Sequence, residues 1–398
     1  MPESRYIAAL DVLFPRGNKL FGDAGQHGEA QMPPWPSIAA GAIRSRMLAD
    51  AGADFAAFAQ GSPLRDASLR QAIGTPTAPG DFRIGWFSLA RRGAGTVEPV
   101  FALPSDLYAT EKDDRIAYLA PQPVPTRFKV SAASESLEYL GVLRHAQREK
   151  PLGGLWLTGS GLAVYLGGEA LSKQAHTVRT SDLWKTDARI GIALDPDKRS
   201  AAEGRLYTTE AVALGRVERR DANLVSEDVG LVVTVHGAEG LVPKVGLVRF
   251  GGDGRGARLV ECILTRPEPD WERIGKERRF RVILATPGLF ERGWRPPDIE
   301  VDGVTAHLSA AAMSRAQVVS GWDIARWSRG EPGPKPALRA APAGSVYWFE
   351  AMDADEHKLV AALRKLVEQG FGCLSGYPDQ VRLTEGFNNA MIGNWAKD

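Results

Sequence analysis

PKVGLVRFGGDGRGARL (residues 243–259) and LRKLVEQGFGCLSGYPDQVRL (residues 363–383) are the two stretches on which the fold turns. In each, a regular element runs into a glycine-rich loop and leaves it as a strand. Working outward from them, the chain divides into two halves with one rhythm: strand, helix, strand, strand, helix, glycine loop, strand. That order is the βαββαβ split of a ferredoxin-like unit. The expected class is therefore α+β, with two tandem ferredoxin-like domains and a β-rich insertion in the first. Internal duplication is one account of the rhythm. The other is that αβ units closed by glycine turns are common.

The elements read as follows. Apolar, β-prone residues from Tyr6 to Phe14 predict a strand. Ser37 is a candidate N-cap for a helix ending at Gly52. Between Leu64 and Pro151 the pattern is poor; strands are expected at Phe82–Leu89 and near Val100, within an insertion over about 54–185. Strands follow at Arg189–Leu194, Leu206–Leu214 and Gly230–His236, then Val245–Phe250 and Ala257–Leu264 on either side of GGDGRG. The charged stretch Thr265–Arg279 separates an N-terminal domain (1–265) from a C-terminal one (275–398). In the second, strands are expected at Arg281–Ala285, Val304–Leu308, Ala316–Val319 and Val346–Glu350, a helical turn at Gly288–Arg292, and a last strand at Val381–Leu383. Leu359, Ala362, Leu363 and Leu366 recur at helical spacing within Asp353–Glu368.

With 398 residues, 44% hydrophobic and 24% charged, the chain is globular in composition, large enough for two or three domains. Its net charge of +1 excludes a globally basic nucleic-acid coat, so any polyanion must be met by local clusters. Cys262 and Cys373 are the two cysteines, too few for a disulfide scaffold or a cysteine zinc site. MPESRYIAALDV has no signal-peptide pattern and no 18-residue apolar run exists, so a cytoplasmic protein without a membrane span is expected. There is no GxxxxGK[ST], no HExxH and no GxSxG, and the six histidines are scattered. Asp195 and Asp197 in LDPDKR form a pair that suits Mg²⁺ or, more commonly, a turn cap. No cofactor, metal or catalytic set is expected.

Three clusters suit an anionic partner. In GGDGRGAR, glycines at 251, 252, 254 and 256 permit positive φ, so that successive N–H groups form an anion-binding concavity beside Arg255 and Arg258. The competing reading is a flexible turn with solvated arginines. In SRGEPGPKPALRAAPAG, Arg329, Lys335 and Arg339 precede Tyr347, Trp348 and Phe349, which would stack on bases unless they are core. In LDPDKRSAAEGRLYTTEA, Lys198, Arg199 and Arg205 lie between two strands, on a hairpin finger or a solvated loop. His27 is a lone loop histidine that could serve as acid–base in RNA cleavage. Trp35 sits beside it in PPWP.

Together these pieces resemble a known family. LDVLFPRGNKLFG with PPWPSIAAGAIRSRML resembles the start of the RAMP-superfamily subunit, the third Cmr subunit, that caps the 5′ end of the guide RNA in type III-B CRISPR (Cmr) complexes. RIGIALDPDKRSAAEGRLYTTE is similar to its R-I-G-I…E-G-x-L-Y block, and GGDGR to its G-G-E-G-R block, with Asp253 where Glu is usual. ATPGLF, GWD and GFGCLSGY correspond to later blocks. The resemblance runs nearly the whole length and is weakest over Asp54–Lys150. It implies RNA-binding, RRM-like tandem domains that hold the repeat-derived 5′ tag of the crRNA. It also implies antiviral defence, no catalysis, and contacts to the large polymerase-like subunit and the first backbone RAMP subunit. Carried onto this sequence, the RNA contacts are Gly41, Arg44, Arg189, Arg199, Arg205, Gly251, Gly252, Gly254, Arg255 and Arg258, with Lys335 and Arg339 from the second cluster. Gly370, Gly372 and Gly376 are structural equivalents. The rival readings are a metal-independent RAMP endoribonuclease using His27 and an assembly subunit that touches no RNA.

Overall fold

The computed structural model describes residues 2–17, 27–93, 96–125, 137–144, 149–195, 197–198, 200–220, 223–323, 326, 333–374 and 379–396. The chain is α+β and strand-rich. Its largest sheet runs Thr177–Arg179, Leu155–Leu157, Thr96–Ala102, Arg83–Gly93, Asn223–His236, Glu3–Ala9, Gly256–Glu261, Val245–Arg249. A second sheet runs Ile299–Val301, Val304–Ala312, Val346–Glu350, Arg279–Leu284, Ala390–Gly393. Both contain four antiparallel strands whose spatial order, by position along the half, is fourth, first, third, second.

Strand alternation sorts the core into layers. On one face of the large sheet, Ile7, Leu231 and Val233 pack against Ile43 and Met47 of the helix Pro36–Asp50. On the other face, Tyr6, Trp86 and Val232 meet Ile283, Ala310, Val346 and Trp348 of the second sheet. The far face of that sheet, with Phe280, Val282 and Phe349, packs against Leu359, Leu363 and Leu366 of the helix Glu356–Gln369. The two sheets thus face each other, with a helix behind each.

Several elements differ from the sequence reading, each for a local reason. The first strand stops at Ala9, and Leu13 keeps only an isolated bridge to Val212. Arg83–Gly93, within the stretch read as an insertion, is a central strand of the large sheet. Before the first glycine loop there is no helix: Val245–Arg249 and Gly256–Glu261 form a hairpin, because KVGLVR alternates and is too short for a helix. Gly288–Arg292 is not a helical turn; Gly288 is bridged to Ala341. Val381–Leu383 lies in a short helix, Gln380–Thr384, because the Asp379 carboxylate caps the N–H of Arg382. The last strand is Ala390–Gly393 instead.

The two halves are joined by a buried ion pair. Arg281 on the second sheet and Asp106 from the segment after Ala102 are 1% and 0% exposed and lie 2.5 Å apart. Burial alone would lower the guanidinium pKa; the facing Tyr165 and Asp106 hold it above its ordinary value. Removing only one partner leaves a buried unpaired charge, which costs about 3–5 kcal/mol. Asp106→Leu should therefore lower the unfolding free energy by about that amount, whereas Asp106→Leu with Arg281→Met should recover most of the loss. Urea denaturation of the three chains checks this, and a double variant no better than the single one would refute it.

His236, at the end of a central strand, packs against Gly85 with its Nε2 buried and without a hydrogen-bond partner among the described residues. Burial, then the charges of Arg83 and Arg266, bring its pKa from 6.5 down to about 4. The unfolded chain therefore takes up this proton first, and the stability associated with neutral His236 is lost as pH falls from 6.5 towards 4. Denaturation across that window should show a shallower pH slope for His236→Gln than for the parent chain.

Candidate nucleic-acid interface

The segment Leu10–Arg16 is the hub of this site. Its two sides hold the glycine loop and the base of a long hairpin. On the loop side, the N–H of Leu10 donates to Gly256 O at 3.1 Å and the N–H of Gly252 donates to Phe14 O at 2.9 Å. On the hairpin side, Leu13 and Val212 exchange both backbone hydrogen bonds at 2.8 Å. Further on, the N–H of Gln31 donates to Pro15 O at 2.7 Å, and the N–H of Ala30 donates to Glu210 Oε2 at 2.9 Å.

Within the loop, Gly251, Asp253 and Gly254 have φ of 81°, 58° and 62°. This left-handed run favours glycine and tolerates Asp. It turns the chain sharply while the Phe250, Gly252 and Arg255 amides remain hydrogen-bonded. The amides of Gly251, Asp253 and Gly254 make no hydrogen bond among the described residues. Unpaired N–H groups gathered in one left-handed turn have the chemistry to hold an anion.

Two guanidinium groups stand beside it. Arg255 lies 4.9 Å over the Phe14 ring and pairs with Asp11 at 3.1 Å. Arg16 reaches Asp253 at 3.5 Å. Both pairs are partly exposed and are worth about 0–1 kcal/mol, so a phosphate can displace either carboxylate at small cost. The Asp253 carboxylate shares the turn with the free amides, so Arg16 also offsets the one acidic charge inside the loop.

The hairpin is a finger of two long strands, Trp184–Asp195 and Ser200–Leu214. One face carries Arg189, Gly191 and Tyr207, with the Tyr207 ring lying across Gly191, where no side chain would fit. The other face carries Ile190, Ile192, Leu194 and Leu206, which are 75%, 49%, 68% and 55% exposed. An apolar row this exposed is not core, and exposed apolar patches have the character of association surfaces. At the tip, Asp195 Oδ1 accepts from the N–H groups of Asp197 and Lys198 at 3.0 and 3.2 Å, the turn-capping role.

The structure gathers some expected residues and separates others. Gly251, Gly252, Gly254 and Arg255 lie together in the loop. Arg258 is exposed on the adjoining strand, opposite Ala8 and Leu247. Arg189 lies on the finger opposite Thr209, paired to Asp187 at 3.0 Å. Arg199, Arg329 and Gly376 lie outside the described residues, and nothing is described of the side chains of His27 and Arg205.

Gly41 and Arg44 are not at a free helix start. The helix begins at Pro36, with Trp35 and Pro36 buried, and Gly41 is exposed beyond its first turn. Arg44 turns inward, donating to Phe82 O at 3.3 Å with its guanidinium 4.6 Å over the Phe82 ring. Burial brings its pKa down to about 10, against the opposing pull of Glu385. Lys335 is half-buried and bound to Glu385 at 2.5 Å, while Arg339 is exposed on a separate small sheet. Tyr347, Trp348 and Phe349 are all buried, because their strand is central in a sheet covered on both faces. They have no face to offer a base.

Asp11, Phe14, Arg16 and the exposed aliphatic row were missed from sequence. Arg16, two residues beyond a buried Phe14 in FPRG, carried a signal in retrospect. The sequence reading marked Arg189–Leu194 only as a strand, because alternation does not say which face is covered.

A family model described as CRISPR-associated protein (Cas_Cmr3) matches residues 5–395. A chain of the Type III-B Cmr-beta bound to cognate target RNA and AMPPnP, state 1, is 13% identical, with 99% of this chain and 97% of that chain covered and a TM-score of 0.47. A chain of the Type III-B Cmr-beta bound to cognate target RNA is 14% identical, with 98% and 96% covered and a TM-score of 0.43. No curated protein matches. Among the described residues no helix is long and apolar enough to cross a membrane.

Proposed function

Because the chain belongs to the Cas_Cmr3 family of CRISPR-associated proteins, we propose that it is a non-catalytic subunit of a type III-B effector that holds the 5′ tag of the crRNA. In this reading it also bridges the large polymerase-like subunit and the backbone RAMP filament. Each half is a ferredoxin-like unit. The shared strand order supports this, since a split βαβ places its first and third strands side by side with the second and fourth outside them.

The observation that carries the RNA reading is the convergence on Leu10–Arg16. One short segment holds a loop with unpaired amides, two guanidinium groups and the base of the finger. Backbone amides and arginines are what a ribose-phosphate chain needs for positioning. The finger, with its exposed aliphatic face, serves assembly with a neighbouring subunit.

Arg16→Ala with Arg255→Ala should weaken binding of a single-stranded RNA bearing the host's repeat-derived tag by about tenfold or more. The salt slope of log K should fall by about 1.4, about 0.7 for each phosphate that is no longer neutralised. Filter binding at several salt concentrations measures both, and an unchanged slope would remove the loop from the RNA path. Ile190→Asp with Ile192→Asp replaces largely exposed side chains. It should leave the melting temperature nearly unchanged while lowering the yield of the chain in the purified complex.

A further inference from the structure

The large sheet ends at Val245–Arg249, which pairs on one side with Gly256–Glu261 and on the other with no strand among the described residues. The hydrogen-bond pattern says which groups face outward. Lys244 O accepts from Glu261, and the N–H of Phe250 donates to Arg255 O, so even-numbered residues face the partner strand. Odd-numbered residues face away, and Leu247 O accepts from Arg46 Nη1 at 2.9 Å, from outside the sheet. The edge thus presents the N–H and C=O groups of Val245, Leu247 and Arg249 in strand register. Val245 and Leu247 are 66% and 56% exposed.

We propose that this edge is completed by an extended acidic segment of another protein chain, added as the next strand. Main-chain bonds and alternate side-chain contacts are the two components of such strand addition. Donors and acceptors alternate along the edge. A polypeptide matches both, whereas a phosphate chain would meet a carbonyl at every donor. The side chains are aliphatic, with no aromatic ring on which a base could stack.

Charge selects among proteins. Lys244, Arg46, Arg249 and Arg258 surround the strand, against Glu261 and Asp50, which already pair with Lys244 and Arg46. A second copy would bring the same excess of basic groups to both sides of the seam. An acidic segment reverses that repulsion. The Arg46–Asp50 pair is partly exposed, so releasing Arg46 from Leu247 O to a partner carboxylate costs little.

Hydrogen exchange with residue resolution tests this. In the isolated chain the amides of Val245, Leu247 and Arg249 should exchange rapidly. In the effector complex purified with its protein subunits they should slow by about tenfold or more, before and after ribonuclease treatment. Leu247→Pro removes only an outward N–H, so it should preserve the isolated chain's melting temperature while cutting its recovery in the complex about fivefold or more. Arg249→Glu, which leaves the backbone intact, should weaken recovery in a salt-dependent way. Rapid exchange in the complex overturns the proposal, as does full recovery of Leu247→Pro. Protection abolished by ribonuclease assigns the edge to RNA, and protection of the isolated chain that disappears on dilution assigns it to a second copy; either overturns it. The RNA reading of the glycine loop stands or falls separately, since none of these variants touches Arg16 or Arg255.

Discussion

The guanidinium of Arg281 is the constraint to which the rest of the molecule conforms. It is fully buried and satisfied on every side: Nη1 donates to Asp106 Oδ2, Nε to Asn394 O at 2.7 Å, and Nη2 to Tyr165 O at 2.7 Å. The Tyr165 hydroxyl closes the ring by donating to Asp106 Oδ1 at 2.7 Å. These partners come from the last strand's exit and from two separate parts of the segment between Ala102 and Trp184. A buried pair of this kind adds little net stability, since desolvation offsets most of the attraction. Its effect is to penalise every other arrangement of the halves, because each would strand a charge in an apolar interior. Sheets that face each other through Tyr6, Trp86, Ala310 and Trp348 have no direction of their own; the ion pair supplies one.

The same junction explains why one attractive anion site does not exist. Trp35 packs with Leu289, Val319, Ala340 and Phe387 of the second half. Asn389 reaches across to Ile84 O at 2.9 Å, and Asn388 both accepts from and donates to the backbone of Leu289. The helix Pro36–Asp50 therefore has its start occupied by protein. Its positive end is spent on the interior, and Arg44 follows it inward to the Phe82 carbonyl. The loop on the other side of Phe14 differs: there the amides of Gly251, Asp253 and Gly254 stay without a hydrogen bond among the described residues.

What was legible in the sequence follows from what local pattern encodes. The strand Val346–Glu350 and the helix Glu356–Gln369 stood out because apolar periodicity is read directly from spacing. The glycine loop was legible because positive φ selects glycine. The last strand was not. Ala390–Gly393 follows Asn388, held at φ 62°, and that turn depends on hydrogen bonds to Leu289, about a hundred positions away in sequence. Arg44 and Lys335 looked solvent-facing because a lone basic residue carries no sign of a distant Glu385. Tyr347, Trp348 and Phe349 looked available because nothing in VYWF reveals that both faces of the strand are covered. Asp106 and Arg281 were invisible as a pair for the same reason.

The near-zero net charge fits a molecule whose binding surfaces are small and separate. A cation near a carboxylate contributes little to the distant field, so Arg16 with Asp253 and Arg255 with Asp11 do not steer polyanions from afar. They act only at contact, where a phosphate meeting three unpaired amides can outcompete an exposed carboxylate. That makes any anion binding here depend on the shape of the Gly251–Gly254 turn more than on the count of arginines. The turn in turn depends on Phe14, whose carbonyl anchors Gly252 and whose ring supports Arg255. A buried aromatic residue thereby sets the geometry of an electrostatic site, and the loop's capacity to hold an anion is a property of the core beneath it.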